Sequence, residues 1–553
     1  IGYDSLQQNT TANNNVAVGH DALKLNTTGE QNTAIGSGAL DANTTGSNLV
    51  AIGAYALTSA TSMSNSIAVG RRALYSATTA GDAIAIGYQA LHDLTTGAHN
   101  IAIGQNAAYN QTTASFNIAI GKDALEANET GTQNIAIGYD ALTTATGVDY
   151  SIAIGVNSQK SNQSGDYNVS VGWQTMKDCT TGASNVAIGN EVMEKITTGS
   201  QNTALGRTAL YNNTTGNNNT AIGQSALKSN TTAHDNTAVG RTALFANTTG
   251  TSNTAVGYAA LSSNTTNSHN TAVGYNALLN NDAQYNTACG KDAVKTNTSG
   301  SRLVGVGNRA LYSNTTGNHN HAFGDHALFA CTTASANTAV GFEAGTALTT
   351  GHSTVAVGYQ ALHDCTTGFR NIAIGYQAGA NITDGGDNIC IGYQAGLYNS
   401  AVTTGDDNVF IGDFVEAGSS NVVKAIAIGY NAICVGSNTG MMRASSGMYQ
   451  SNNSSTWSTT SDIRIKKNVV NNNTGLDKIN QIQVRNFEYR TEEEITDFDN
   501  PKATVVDKQG LQVGVIAQEI KTILPDVVEE LSTGVLTVNP DNLTWYLVNA
   551  VKE

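Results

Sequence analysis

A serine five residues ahead of a lysine, Ser461 and Lys466 in SDIRIKKNV, is a pair whose types can do covalent chemistry. A serine Oγ is a weak nucleophile at its own pKa and needs a nearby base. A lysine serves when burial lowers its pKa toward about 7–8. An offset of five puts the two on opposite faces of an ideal strand, so a bend or an assembly step has to bring them together. On residue types alone a solvated pair is the stronger reading. Tyr359, Tyr376 and Tyr393 recur every 17 residues and are expected to stack as an exposed ridge, as are Tyr258 and Tyr275. Such a ridge is a candidate sugar contact, with Tyr packing on Tyr as the plainer account.

Other candidates point to structure. The cysteines Cys179, Cys331 and Cys365 share one slot of a repeat but lie at least two coils apart, too far to bridge. Cys289 and Cys390 occupy slots that elsewhere hold Val, Ala or Ile, so small core hydrophobes are expected. Recurrent Thr-Thr pairs (Thr27-Thr28, Thr44-Thr45) would present only one outward Thr per coil, which favours turn capping over binding of ordered water. Asp384-Gly385-Gly386-Asp387 and Asp406-Asp407 resemble calcium-binding repeats but follow no fixed period, so turn chemistry is expected and no metal site is assigned. No cofactor is expected.

The elements that must carry these residues are read from the period. The Gly closing each Ala-Ile-Gly or Ala-Val-Gly triplet falls at Gly2, Gly19, Gly36 and onward in steps of 17 to Gly274. One step of 16 leads to Gly290, 17s resume to Gly392, and steps of 20 and 17 end at Gly429, making 26 anchors. A short fixed period over this length marks a solenoid. Coils about 4.8 Å apart would give a rod of roughly 120 Å. All three prolines lie beyond the repeat, as suits unbroken β-structure.

Within a coil, the residue before the anchor is apolar (Ile35, Ile52), the one before that Ala (Ala34, Ala51), and the next Thr, Val or Ile. Alternation suggests that Ile35 and Leu40 face the core, while Ala34 permits close approach of a neighbouring chain. The slot seven after the anchor holds either Asn (Asn26, Asn43) or an apolar residue (Leu94, Ile196), which predicts a buried Asn ladder. Gly ten after it (Gly29, Gly46) is expected to supply positive φ at a turn. The Val50-Ala51-Ile52-Gly53 core resembles the left-handed β-roll of YadA-like heads in trimeric autotransporter adhesins, which use a somewhat shorter period. The resemblance implies three chains side by side.

Asn and Thr supply most polar surface, and charged residues make up only 12%. A net charge of −15 argues against a nucleic-acid partner. There is no run of about 18 apolar residues and no signal peptide. The chain starts inside a repeat at Ile1, which reads as a fragment.

After Gly436 the period stops. Residues 437–460 are Ser- and Asn-rich and read as a linker, and 461–553 has ordinary composition. IRIKKNVV and QVRNFEYR read as strands or strand-helix junctions, GVIAQEIKTIL (514–524) as an amphipathic helix, GVLTVNP as a strand. DNLTWYLVNAVKE reads as a closing helix capped by Asp541 or Asn542. In order, SDIRIKKNV, FEYR, GVIAQEI, LPDVV and LVNAVKE resemble the intramolecular chaperone domain that ends endosialidase-type phage tail spikes and many tail fibres. That resemblance implies a catalytic dyad at Ser461 and Lys466 and self-cleavage between Thr460 and Ser461; Lys467 is the competing base on sequence proximity alone. Asp462 and Arg464 are expected to fix the local turn, and Gln518 and Glu519 to orient the helix against the dyad segment. In that family the closing helix runs on past Lys-Glu, which implies that the chain is cut short here.

The expected architecture is all-β: a parallel β-solenoid (1–436), trimeric, followed by a small α+β chaperone (461–553). The expected function is a homotrimeric phage tail fibre on the virion tail, attaching to a host surface receptor, a glycan among the candidates. Its only enzymatic act would be single-turnover autoproteolysis. A bacterial surface adhesin head and the shaft of a polysaccharide-degrading tailspike are the alternatives.

Overall fold

The computed structural model describes residues 1–397, 402–444, 469–472, 474–491, 494, 509–530 and 535–553. The repeat forms one parallel sheet of 26 strands, three residues each. Each strand pairs in register with the strand one coil later, as in Val16↔Thr33, Ala17↔Ala34 and Val18↔Ile35. The register survives the irregular coils: Ala272 pairs with Ala288 across the 16-residue step and Cys390 with Phe410 across the 20-residue step. The sheet also runs past the expected end at 436, into the stretch read as a linker, where a last strand, Gly440–Met442, pairs with Ile426–Ile428. The short coil loses its residue in the polar turn, where Asn281 donates to the Ala283 carbonyl, two residues on, at 2.6 Å. Its counterpart Asn247 reaches three residues on, to Gly250, at 2.9 Å.

Two expectations about faces are corrected. Ala34 is fully buried inside its own chain, whereas Ile35 is 39% exposed. The pattern holds along the shaft, Ala inward and Thr, Val or Ile outward. The reason is the narrow interior, which the Leu four after the anchor already fills from the opposite corner. Where that Leu is Val294, the facing residue is Gly305, and a Cβ there would sit 2.5 Å from the valine Cγ2. Cys289 accordingly lies on the outward face and is exposed, while the other five cysteines are buried.

The turns also differ from expectation. Gly46 does not take positive φ. A Cβ on it would meet the Met63 carbonyl oxygen of the next coil at 2.1 Å, so close approach demands the glycine. The left-handed conformation falls instead on the anchor (Gly36, φ 137°) and on non-glycine corners such as Asp21 (φ 56°), Leu23 (φ 52°) and Gln31 (φ 60°). A non-glycine residue there costs of order 1–3 kcal/mol. Burial of the leucine (Leu23 and Leu40 are both fully buried) and coil-to-coil hydrogen bonds such as Leu23 N to Ala39 O offset it.

Polar groups inside the coil are satisfied by stacking. The predicted ladder is present: Asn43 Nδ2 donates to Asn26 Oδ1 at 2.8 Å and Asn247 to Asn230 at 3.1 Å. A second ladder runs through the Asn four before the anchor, which accepts from the backbone N–H of the next coil (Asn32 Oδ1 from Leu49) and donates to that coil's turn carbonyl (Gly46). Thr27 Oγ1 donates to the Thr44 carbonyl and Thr44 to Thr61, so the first Thr of each pair ties coils together.

The C-terminal region is α+β. Helix α1 spans Leu476–Ile479, α2 Ala517–Ile523 and α3 Pro540–Lys552. Strand Arg485–Phe487 pairs antiparallel with Gln512–Gly514, and Val528–Glu530 with Leu536–Val538. Ile520, Leu524, Val527 and Tyr546 form its core. The 514–524 helix starts three residues late, because Gly514 belongs to the strand and Ile516 is extended (φ −98°, ψ 122°). Helix α3 is capped by Asn539, whose Oδ1 accepts from the Asn542 N–H at 3.3 Å, with Pro540 opening the helix. Among the described residues no helix is long and apolar enough to cross a membrane.

Candidate functional site

Thr460, Ser461, Asp462, Arg464, Lys466 and Lys467 lie outside the described residues, as does most of IRIKKNVV; its last two residues, Val469 and Val470, are exposed and not in a strand. The segment that follows them is clamped by the end of α3. Asn549 Nδ2 donates to the Asn472 carbonyl at 2.8 Å, and the Glu553 carboxylate accepts from the Leu476 N–H at 2.7 Å. Gly475 allows that contact, since a Cβ on it would stand 2.7 Å from the Ala550 nitrogen. Asn549 and Glu553 therefore position the chain leading away from the Ser-Lys motif. Both were read only as part of the closing helix, and their spacing carries no sign of a clamp 77 residues upstream.

Helix α2 is set by Glu519, which pairs with the Arg485 guanidinium at 3.0 Å and so holds the helix to the strand Arg485–Phe487. The pair is exposed and worth little energetically; its role is orientation. Gln518 is exposed beside it, in a shallow depression also lined by Gln481, Gln483 and Thr522. Tyr546 donates its hydroxyl to Asp526, fixing α3 to the turn Pro525–Val527, and that bond with burial raises the phenol pKa.

On the shaft, Tyr359, Tyr376 and Tyr393 do stack, with centroids 5.0 Å apart and planes within 7°. Phe342 extends the column at 5.3 Å, and Tyr258–Tyr275 stack at 5.1 Å. Because the rings cover one another's faces, the ridge offers edges and hydroxyls to solvent, and Tyr359, Tyr376 and Tyr393 are 41–43% exposed. Gln360, Gln377 and Gln394 run beside it as a side-chain ladder at 2.9 Å per rung. Burial pushes the thiols of Cys179, Cys331, Cys365 and Cys390 up to about 12, which keeps them protonated and unreactive. Asp387 receives both arms of Arg370 at 2.6 Å, and Asp406 accepts from the Gly386 N–H, so these carboxylates serve turns. No His, Cys, Asp and Glu grouping fit for a metal occurs among the described residues.

The family described as chaperone of endosialidase matches residues 461–529. The match begins at Ser461 and takes in α1, the first strand pair, α2 and the buried Leu524-Val527 turn. No curated protein matches the chain. The chain thus joins a long parallel β-solenoid to a C-terminal region similar to that chaperone.

Proposed function

We propose that the protein is a homotrimeric fibre of a phage tail, whose shaft is assembled by the C-terminal chaperone and then released from it by self-cleavage. The observation that carries this reading is the succession in one chain of a 26-strand in-register solenoid and a segment similar to the chaperone of endosialidase. Near-identical coils pair almost as well when slipped by one repeat, so a rod of this kind benefits from a domain that sets stoichiometry first. In the release step, Ser461 Oγ attacks the Thr460 carbonyl while Lys466 takes the hydroxyl proton. The lysine returns that proton to the Ser461 amide nitrogen as the peptide bond breaks, and water hydrolyses the resulting ester. Cleavage leaves a shaft that is kinetically trapped, having lost its template. On the virion the shaft would meet a host surface receptor, with the Tyr359–Tyr376–Tyr393 ridge as a contact for a glycan through ring edges and hydroxyls.

The test compares wild type with Ser461→Ala on denaturing gels. The wild type is expected to release a fragment of roughly 10 kDa and the variant to stay whole; identical band patterns would remove Ser461 as nucleophile. Expression of residues 1–460 alone is expected to give aggregates or mixed registers, and soluble in-register trimers would overturn the chaperone role. A second reading, a bacterial trimeric adhesin head, shares the YadA-like coil, but the chaperone-like C-terminus favours the fibre.

A further inference from the structure

We propose that the outward strand residues form one interchain ribbon along the shaft, and that its blocks of apolar and Thr side chains let copies of this chain read their own register. This rests on the trimeric reading above and adds where the copies meet and what aligns them. Each strand presents two outward positions, flanking the buried Ala. Across the 25 strands of the long parallel sheet from Val16–Val18 to Ile426–Ile428, no Lys, Arg, Asp or Glu occupies either one, in a chain with 69 such residues (27 basic and 42 acidic). The second outward position is apolar throughout and typically more than a third exposed, as at Ile35, Ile86, Ile188, Val273, Val340 and Ile374. A contiguous apolar stripe of this length is foreign to a free surface.

The occupant that fits is a second copy in parallel. Its side chains repeat at about 4.8 Å over roughly 120 Å, and another copy matches that repeat by identity. If each coil covers only about 60 Å² of its two outward side chains, the ribbon buries roughly 1,500 Å² per copy, beyond the about 800 Å² per partner of a stable interface. In a cyclic assembly whose axis follows the shaft, each residue meets its own counterpart at equal height.

The first outward position is where height is written. It is Val or Ile in nine successive strands from Val50 to Val186 and Thr in the next six, Thr203 to Thr287; from Val355 to Ile426 it is Val or Ile again. Threonines at one height can bond one another, whereas a threonine slipped against isoleucines leaves its hydroxyl unpaired in a dry contact. His321 and Phe323 add a further irregularity between the last two blocks.

The exposed cysteine supplies the probe. Cys289 sits in the second outward position of the strand Thr287–Cys289, and the other five cysteines are buried. Full-length protein is treated with diamide, which takes two protons and two electrons as two thiols become a disulfide. Non-reducing gels should show covalent dimers, absent in Cys289→Ser. For slip, chains with Cys289 are co-assembled with tagged chains carrying Cys289→Ser and Val273→Cys, so that a mixed-size link reports displacement by one coil. Mixed links should stay at background, and should rise severalfold when Thr203, Thr220, Thr237, Thr254, Thr271 and Thr287 are all changed to Val. A monomeric mass by light scattering would overturn the trimeric reading itself. A trimeric mass without Cys289 links would overturn the ribbon and leave the trimer standing. Links with no rise in mixed species would overturn the Thr block as the register mark.

Discussion

A single Asn holds three neighbours in this shaft. Asn247 donates to Asn230 Oδ1 and to the Gly250 carbonyl, and accepts from Asn264. Asn247→Ala leaves Asn230 Oδ1 and one Asn264 N–H unpaired in a dry interior, while the Gly250 carbonyl keeps Asn236, and is expected to cost about 2–3 kcal/mol. Coils contact only their neighbours, so the loss should be local, read as faster amide exchange over the coils around Asn247 and unchanged rates at the rod's ends. The cysteine slot behaves differently because the thiol is satisfied by being neutral. A thiol whose pKa rises on folding keeps its proton in the native state where the unfolded chain has lost it. Stability is therefore full below the ordinary value of 9.0 and falls as pH climbs from there toward about 12. Replacing Cys179, Cys331 and Cys365 by Leu, which the same slot accepts at Leu94 and Leu348, should flatten that alkaline decline. Urea midpoints compared below and above pH 9.0 would show it; an unchanged slope would mean other groups govern it.

At the scale of one coil, the volumes of two facing slots offset each other. Most coils set Ala against Leu, but the coil that carries Phe410, fully buried, faces Gly396, whose added Cβ would come 2.9 Å from Cys390 Sγ and 3.4 Å from the phenyl ring. A polar version occurs where Ser170 replaces the Ala: Gln159 stands in the Leu slot and donates to Ser170 Oγ at 2.8 Å. Phe410→Ala should cost about 3–5 kcal/mol as a cavity and Gly396→Leu about 1–3 kcal/mol by overpacking. With Cys390→Ala as the common background, which clears the other side chain beside Gly396, the two together rebuild the usual Ala-Leu pair, so the double variant should lose clearly less than the sum in a thermal double-mutant cycle. This pairing also shows what the sequence could and could not tell. The period, the parallel register and the Asn ladder were legible because they repeat; the sheet's last strand, Gly440–Met442, was not, since it lies beyond Gly436, where the period stops. The inward face was not, since Ala34 and Ile35 are both apolar and only the width of the interior, set by Leu40, decides between them. Nor were the left-handed corners at Leu23 and Leu40, because propensity disfavours leucine there and only stacking overrides it. In the C-terminal region, Glu519 was expected to orient the helix against the dyad segment, which lies outside the described residues; what it holds is the strand Arg485–Phe487. Its partner Arg485 and the clamp by Asn549 and Glu553 were hidden by distance along the chain, and Ser461 and Lys466 stand on motif alone.

For the whole molecule, the sheet hydrogen bonds join residues one coil apart, so length is a count of coils. Removing residues 207–274 deletes four complete coils and joins Gly206 to Tyr275, an anchor followed by the residue type that follows Gly274 and Gly257. The new neighbours, strands Thr203–Leu205 and Thr287–Cys289, both place Ala in the buried slot. The shortened chain should therefore fold, with a rod roughly 19 Å shorter by electron microscopy and a thermal midpoint close to the parent, since every remaining coil keeps two neighbours. Deleting residues 207–214 alone removes less material and should do more damage. It takes away the Leu210 corner and Asn213 of the ladder, leaving Asn230 without the Oδ1 it donates to. It also brings the next strand up before the coil has turned, so a sheet built on one strand per coil cannot continue. If the smaller deletion proved the milder one, the shaft would not be a stack of independent 17-residue coils, and both its length and its register would need another origin.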